Sequence, residues 1–320
     1  MARFLCLALA GSLVSALLCI SGAVSSRSSG EVSWVERRDE SFDLAEAMLR
    51  LSPMHAKRRE RRRILAEVAA LAPQVRAGLP AGPSARQTLD AISDYLFNRE
   101  GFRGTIALLD PGSLSLPNLL KDKKGTCVSL VILYLSIAER LGLDVHAAAT
   151  PVHLFIRYEG PEGIINIETL EQGRTVDDAE YRRRYRMADS SIERGIFMKP
   201  LPKRAVVAHF LSNRGAIASR EGRRDDALRD FDAALEVDPD LEAAYYNRGL
   251  EHLKAGELVS SRADLTKAIE LHPLDAQAFN NRGLANLKLN DRDAARRDFE
   301  EAIRIDPSQR EAKENLKLLG

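Results

Sequence analysis

Lys123-Lys124-Gly125-Thr126-Cys127-Val128-Ser129-Leu130, running on to Leu141-Gly142, is the stretch whose reading decides the fold. Gly125 interrupts what precedes it, Thr126 is a good N-cap, and Gly142 suits the left-handed exit of a helix. Between Val128 and Leu141 apolar residues cover almost every side, so this helix belongs in the centre of a domain. Cys127 then falls in its first turn. There the helix dipole favours an anion, and the thiolate is the reactive form of cysteine. Lys123 and Lys124 push in the same direction. A buried thiol more commonly packs as a small hydrophobe, so a chemical role needs partners.

Partners are found downstream. Leu143 to Ala149 reads as a short apolar strand, and His153 to Tyr158 as an alternating strand that opens on a histidine. Gly163 to Thr169 reads as a third strand ending in Asn166-Ile167-Glu168. With Glu159-Gly160-Pro161-Glu162 as a four-residue loop, Tyr158 pairs with Gly163 and His153 stands opposite Glu168. Directly opposite residues share a face, about 5 Å apart at Cβ; a five-residue loop would shift the pairing by one. In the first register a carboxylate orients an imidazole that reaches a thiol, which is the nucleophile, base and orienter pattern of acyl transfer. Upstream, Phe42 to Leu71 and Ala85 to Phe97 carry helical periodicity. Ala72 to Ser84, with three Pro and two Gly, reads as a loop. The basic run Lys57 to Arg63 reads as a solvated helix face, His146 as a packed neighbour of the site, and Asp110-Pro111-Gly112 as a turn.

The C-terminal third repeats itself. Asn-Arg-Gly recurs at 213–215, 247–249 and 281–283, and Pro239, Pro273 and Pro307 keep the same spacing of 34. So do Phe231, Leu265 and Phe299, and Ala234, Ala268 and Ala302. This period, with Gly in one helix and Pro at the unit's end, resembles the tetratricopeptide repeat. Three repeats span His209 to Ser308, and Arg310 to Leu319 reads as a capping helix. The chain departs from the family pattern where Arg precedes each Gly, and where Ala218, His252 and Asn286 replace the usual aromatic. The resemblance implies a concave groove for a protein or peptide partner. It further implies that Asn213, Asn247 and Asn281 form a ladder of amides along the backbone of an extended ligand.

Gly-Thr-Cys at a helix start, then Pro-Val-His-Leu-Phe-Ile-Arg-Tyr, then Asn-Ile-Glu, resembles the transglutaminase-like superfamily. Tyr95-Leu96-Phe97 through Gly101-Phe102-Arg103-Gly104, with the long Cys127 helix, resembles its SirB1-type branch, which is often joined to tetratricopeptide repeats. The resemblance covers residues 85–185 and implies a papain-like α+β thiol domain followed by an all-α solenoid. By carry-over, Cys127 matches the nucleophile, His153 the general base and Glu168 the acidic third member. That third member is usually Asp, and some SirB1-type relatives lack the Cys. Two readings therefore stand: a cysteine peptidase, amidase or transglutaminase, or a non-catalytic interaction protein whose repeats recruit a partner.

Composition excludes other classes. With 47 basic and 46 acidic residues the formal charge is +1, so no nucleic-acid partner is expected. Hydrophobic residues at 45% provide a core and exclude disorder as the main state. No GxxxxGK[ST], GxGxxG or HExxH motif occurs, and His209, His252 and His272 lack metal-ligand spacing among themselves. No metal and no small-molecule cofactor is expected. Arg3, the uncharged run Phe4 to Ile20 and Ser21-Gly22-Ala23 read as a secretory signal, with an uncleaved membrane anchor as the alternative. The expected organisation is a signal peptide (1–25), a linker (26–40), a transglutaminase-like domain (41–202) and the repeats (203–320) of a protein exported to the periplasm or beyond. Cleavage would remove Cys6 and Cys19 and leave Cys127 with no intramolecular disulfide partner.

Overall fold

A computed structural model describes residues 42–52, 57–105 and 111–320. The expected signal and linker lie outside the described residues, as does Asp110. Helix α1 (Leu44–Leu51) starts where the Asp43 carboxylate accepts the Glu46 N–H. It is followed by α2 (Arg58–Arg76) and by α3 (Ala85–Ser93), which runs on into a wide turn over Asp94–Arg99. The loop expected from Ala72 begins only after Arg76. Pro73 deletes one backbone bond of α2, but Leu71, Ala72 and Val75 continue the buried stripe and carry the helix past it. The basic run is solvent-exposed along the start of α2, apart from half-buried Arg61.

Two short parallel strands, β1 (Arg103–Gly104) and β2 (Lys124–Gly125), flank α4 (Leu116–Asp122). They deliver the chain to α5 (Cys127–Leu141), where Thr126 Oγ accepts the Ser129 N–H and Gly142 closes the helix at φ 77°. Every residue of α5 from Val128 to Ala138 is buried, as its all-round apolar sequence requires. The helix packs on an antiparallel sheet of order β3-β4-β5-β6. These strands are β3 (His146–Thr150), β4 (His153–Gly160), β5 (Gly163–Glu168) and β6 (Arg174–Val176). Helices α6 (Asp178–Tyr185) and α7 (Asp189–Glu193) complete the α+β unit.

The remaining helices form three antiparallel pairs and a cap. They are α8 (Lys203–Arg220), α9 (Arg224–Val237), α10 (Glu242–Ala255), α11 (Leu258–Leu271), α12 (Ala276–Lys288), α13 (Arg292–Ile305) and α14 (Arg310–Lys317). Within each pair the backbones approach where Gly faces a large side chain. A Cβ at Gly215 would lie 2.7 Å from the Phe231 ring, and one at Gly283 would lie 2.6 Å from Phe299. The Arg of each Asn-Arg-Gly crosses to an Asp on the partner helix through two charge-assisted bonds: Arg214–Asp230, Arg248–Asp264 and Arg282–Asp298. Helix α8 packs on α1 and α5, and Lys203 donates to Glu139 and to the Phe42 carbonyl. Among the described residues no helix is long and apolar enough to cross a membrane.

Candidate thiol site

Cys127 is the first residue of α5 and is half-buried. Its position depends on the turn before it, because a Cβ at Gly125 would lie 2.6 Å from both Leu119 and Ser129. His153 begins β4 directly after the tight Pro151-Val152 turn, where the Thr150 hydroxyl donates to the His153 carbonyl. The imidazole is buried, and its Nε2 lies 2.8 Å from both carboxylate oxygens of Glu168. Nδ1 is the nitrogen left to face the Cys127 thiol, and each of the two groups alters the other's ionisation. The carboxylate, the imidazole and the thiol thus act on one another in series.

The route to that chain differs from the expected register. The hairpin closes on the two-residue turn Pro161-Glu162, with Gly160 paired to Gly163, so Tyr158 faces Ile165 rather than Gly163. Along this ladder Glu168 lies level with Phe155, two places beyond His153. A shift of two preserves the face, because side chains alternate with a period of two. Glu168 reaches His153 as a diagonal neighbour. The turn is held from outside the sheet: the Glu162 carboxylate accepts the Ala85 and Arg86 N–H groups at 2.7 and 3.0 Å, at the start of α3.

Two tyrosines that the sequence reading did not single out complete the site. Tyr181 donates its hydroxyl to Glu168 at 3.1 Å and stacks on Phe155, and Tyr185 stacks on the His153 ring. Their spacing of four on α6 places both on one face, a signal the sequence held without saying what they face. The Leu170 N–H also donates to Glu168. Burial is the largest influence on the Cys127 thiol and raises its pKa. The hydrogen bond and charge of His153 and the Leu154 N–H outweigh that rise and hold it below its ordinary value. Burial likewise works against the His153 imidazolium, yet contacts with Cys127 and Glu168 push its pKa up. Opposite shifts in adjacent groups favour the thiolate–imidazolium pair relative to two isolated groups.

In the repeats, Asn213, Asn247 and Asn281 occupy equivalent, half-buried positions on α8, α10 and α12. Asn281 donates to the Tyr246 hydroxyl, which in turn donates to Gln277, so its amide is held within the array.

Residues 62–212 match the family model of the transglutaminase-like superfamily, and residues 213–264 and 246–310 match that of the tetratricopeptide repeat. A UPF0162 protein of Xylella fastidiosa strain 9a5c is 28% identical over 178 residues, 54% of this chain and 63% of that protein. Another from strain Temecula1 is 27% identical over 172 residues, 52% of this chain and 61% of its own length. The match thus spans less than two thirds of each relative. A crystal structure of menin, described as revealing the binding site for Mixed Lineage Leukemia (MLL) protein, superposes with a TM-score of 0.58 at 15% identity. It covers 86% of this chain and 69% of menin, a likeness of fold alone. The chain carries a domain of the transglutaminase-like superfamily followed by tetratricopeptide repeats.

Proposed function

We propose that this protein is an exported thiol acyl-transfer enzyme of the SirB1-type branch whose repeats hold a protein or peptide partner. The observation that carries the enzymatic reading is the buried His153–Glu168 pair acting on Cys127 at the start of α5, with the thiol pKa lowered and the imidazole pKa raised. The Cys127 thiolate attacks an amide carbonyl carbon, and a C–S bond forms as the carbonyl electrons move to oxygen. As that tetrahedral species collapses, the C–N bond breaks and the His153 imidazolium gives its proton to the departing amine. The resulting thioester is opened by water or by a second amine, with His153 taking the incoming proton. Water yields a carboxylic acid, whereas an amine yields a new amide; both regenerate the thiol. Glu168 touches no reacting atom. It holds Nδ1 toward the sulfur and stabilises the imidazolium, helped by Tyr181. No metal or cofactor enters this chemistry.

Export is supported by Arg3, the uncharged Phe4 to Ile20 run and the small residues Ser21 to Ala23. Partner binding is supported by the periodic placement of Asn213, Asn247 and Asn281 on successive first helices. Unchanged partner binding after all three are changed to Ala would remove that role. The central experiment is alkylation of Cys127 by an iodoacetamide probe across pH. The expected midpoint lies well below the value of about 8.5 for a free thiol, and His153→Ala abolishes the shift. Ordinary thiol titration in the unmodified protein would sink the enzymatic reading and leave a non-catalytic interaction protein.

A further inference from the structure

A second cluster of chemistry-bearing side chains lies where the middle repeat meets the third. Glu242 opens α10, His272 follows the end of α11, and Asp275 caps α12. Their ligand atoms all lie within 4.8 Å of one another. Three features set this cluster apart from a chance group of acids. First, the His272 side chain is only 7% exposed, and its Nε2 is buried without a hydrogen-bond partner. The backbone of Arg186, the residue just after Tyr185 at the end of α6, stands beside the ring. A buried imidazole nitrogen with no hydrogen-bond partner keeps a lone pair that a metal ion can take.

Second, the carboxylates are poised to match. Asp275 Oδ1 accepts the Gln277 and Ala278 N–H groups at 2.8 and 3.1 Å, which fixes the side chain and leaves Oδ2 to the cluster. Glu242 is 6% exposed, and among the described residues its carboxylate has neither hydrogen bond nor ion pair. A buried carboxylate in that condition is neutralised either by a proton or by a bound cation. Third, the repeat pattern breaks at all three positions. Asp238 and Asp306 stand at the place His272 takes, Ala208 and Ala276 at that of Glu242, and Leu241 and Gln309 at that of Asp275. The neighbouring repeats fold without these residues, so the period does not demand them.

We propose that Glu242, His272 and Asp275 bind a divalent ion of the zinc class. One nitrogen and two carboxylates suit Zn²⁺, Co²⁺ or Mn²⁺ better than Mg²⁺ or Ca²⁺, which prefer oxygen alone. Ligand atoms on bonds of about 2.0–2.2 Å around a tetrahedral ion stand about 3.4 Å apart, so the widest pair, within 4.8 Å here, closes by about an ångström when the ion binds. Glu242 also lines a cavity of about 380 Å³ between the repeats and the α+β unit, which offers an approach for the ion and for water as a fourth ligand. Bound there, the ion joins two repeats close to the end of the helix that carries Tyr181 and Tyr185.

The test uses the full chain carrying Cys127→Ala, so that the thiol site cannot supply a competing ligand. After chelator treatment, Zn²⁺ is titrated by calorimetry and Co²⁺ by visible absorption, with Mg²⁺ and Ca²⁺ for comparison. The expected result is one Zn²⁺ or Co²⁺ per chain, with d–d bands of a four- or five-coordinate ion. His272→Asn and Glu242→Ala should each weaken binding by more than about 100-fold, since even supporting residues cost 10–100-fold. Both variants resemble what neighbouring repeats hold there, and circular dichroism confirms that they fold. Absence of saturable binding, a preference for Mg²⁺ or Ca²⁺, or affinity unchanged in both variants would overturn the proposal.

Discussion

Glu168→Gln tests whether the carboxylate governs the sulfur through the imidazole. The substitution keeps the shape but removes a buried charge that faces three donors: His153 Nε2, the Leu170 N–H and the Tyr181 hydroxyl. A hydrogen bond to a charged group contributes about 1.5–3 kcal/mol. Losing that from His153 alone lowers the imidazole pKa by about one to two units. The thiol then feels two opposed changes. Removing the negative charge of Glu168 directly eases ionisation of Cys127, but this is the smallest of the influences on the sulfur. Weakening the imidazolium removes support that ranks next after burial itself. The second effect wins, and the thiol midpoint should rise by about one unit. Mass-resolved alkylation of Cys127 across pH measures this, and at mildly acidic pH the rate should fall about tenfold. An unchanged or lowered midpoint in a folded Glu168→Gln protein would refute the reasoning, because the carboxylate would then act on the sulfur only through space.

Gly283→Ala should destabilise the protein by about 1–3 kcal/mol in urea, because the new methyl meets the buried Phe299 ring at 2.6 Å. Gly249→Ala should cost less, since its nearest neighbour is Leu265 at 3.0 Å; equal losses would contradict this packing account. Arg248→Met leaves Asp264, whose side chain is 10% exposed, without its two-pronged partner, at a cost of about 3 kcal/mol. Arg248→Lys should recover less than half of that, because a point charge cannot form both bonds; full recovery in the same urea titration would count against it. Burial pushes the His209 pKa down to about 4. Its folded pKa lies below the unfolded value of about 6.5, so stability is retained above that value and lost as pH falls toward 4, by up to about 3 kcal/mol. His209→Gln should flatten that slope in acid denaturation.

What the sequence revealed, and what it hid, follows from the range of each interaction. The Cys127 helix was legible because its limits are local: Thr126 caps it, Gly142 releases it, and its apolar girdle calls for burial. The repeats were legible because period and close approach recur in the letters. The face shared by His153 and Glu168 was also legible, since alternation depends only on parity. The register was not, because the turn that sets it is held by Glu162 reaching the start of α3, a contact more than 70 residues distant along the chain. Tyr181 and Tyr185 were missed for the same reason. Their spacing shows a common face, but nothing local says that the face meets an imidazole.

The Arg before each repeat glycine shows how a departure from a family pattern acquires a physical cause. Beyond its own Asp, each guanidinium also reaches back toward what precedes it in the stack: Arg282 to Thr266 on α11, and Arg248 to Asp232 on α9. Arg214 has no preceding repeat, and it donates instead to the Leu51 carbonyl at the end of α1. The α+β unit thus occupies the place of a preceding repeat, and α1 serves where a second helix would. Val206, Val207, Phe210 and Leu211 of α8 are buried in one apolar cluster with α1 and α5. A solenoid needs its end covered, and here a transglutaminase-like core does the covering. The thiol helix and the first repeat consequently share one hydrophobic core, so a partner that strains the repeats acts on the same packed surface that positions Cys127.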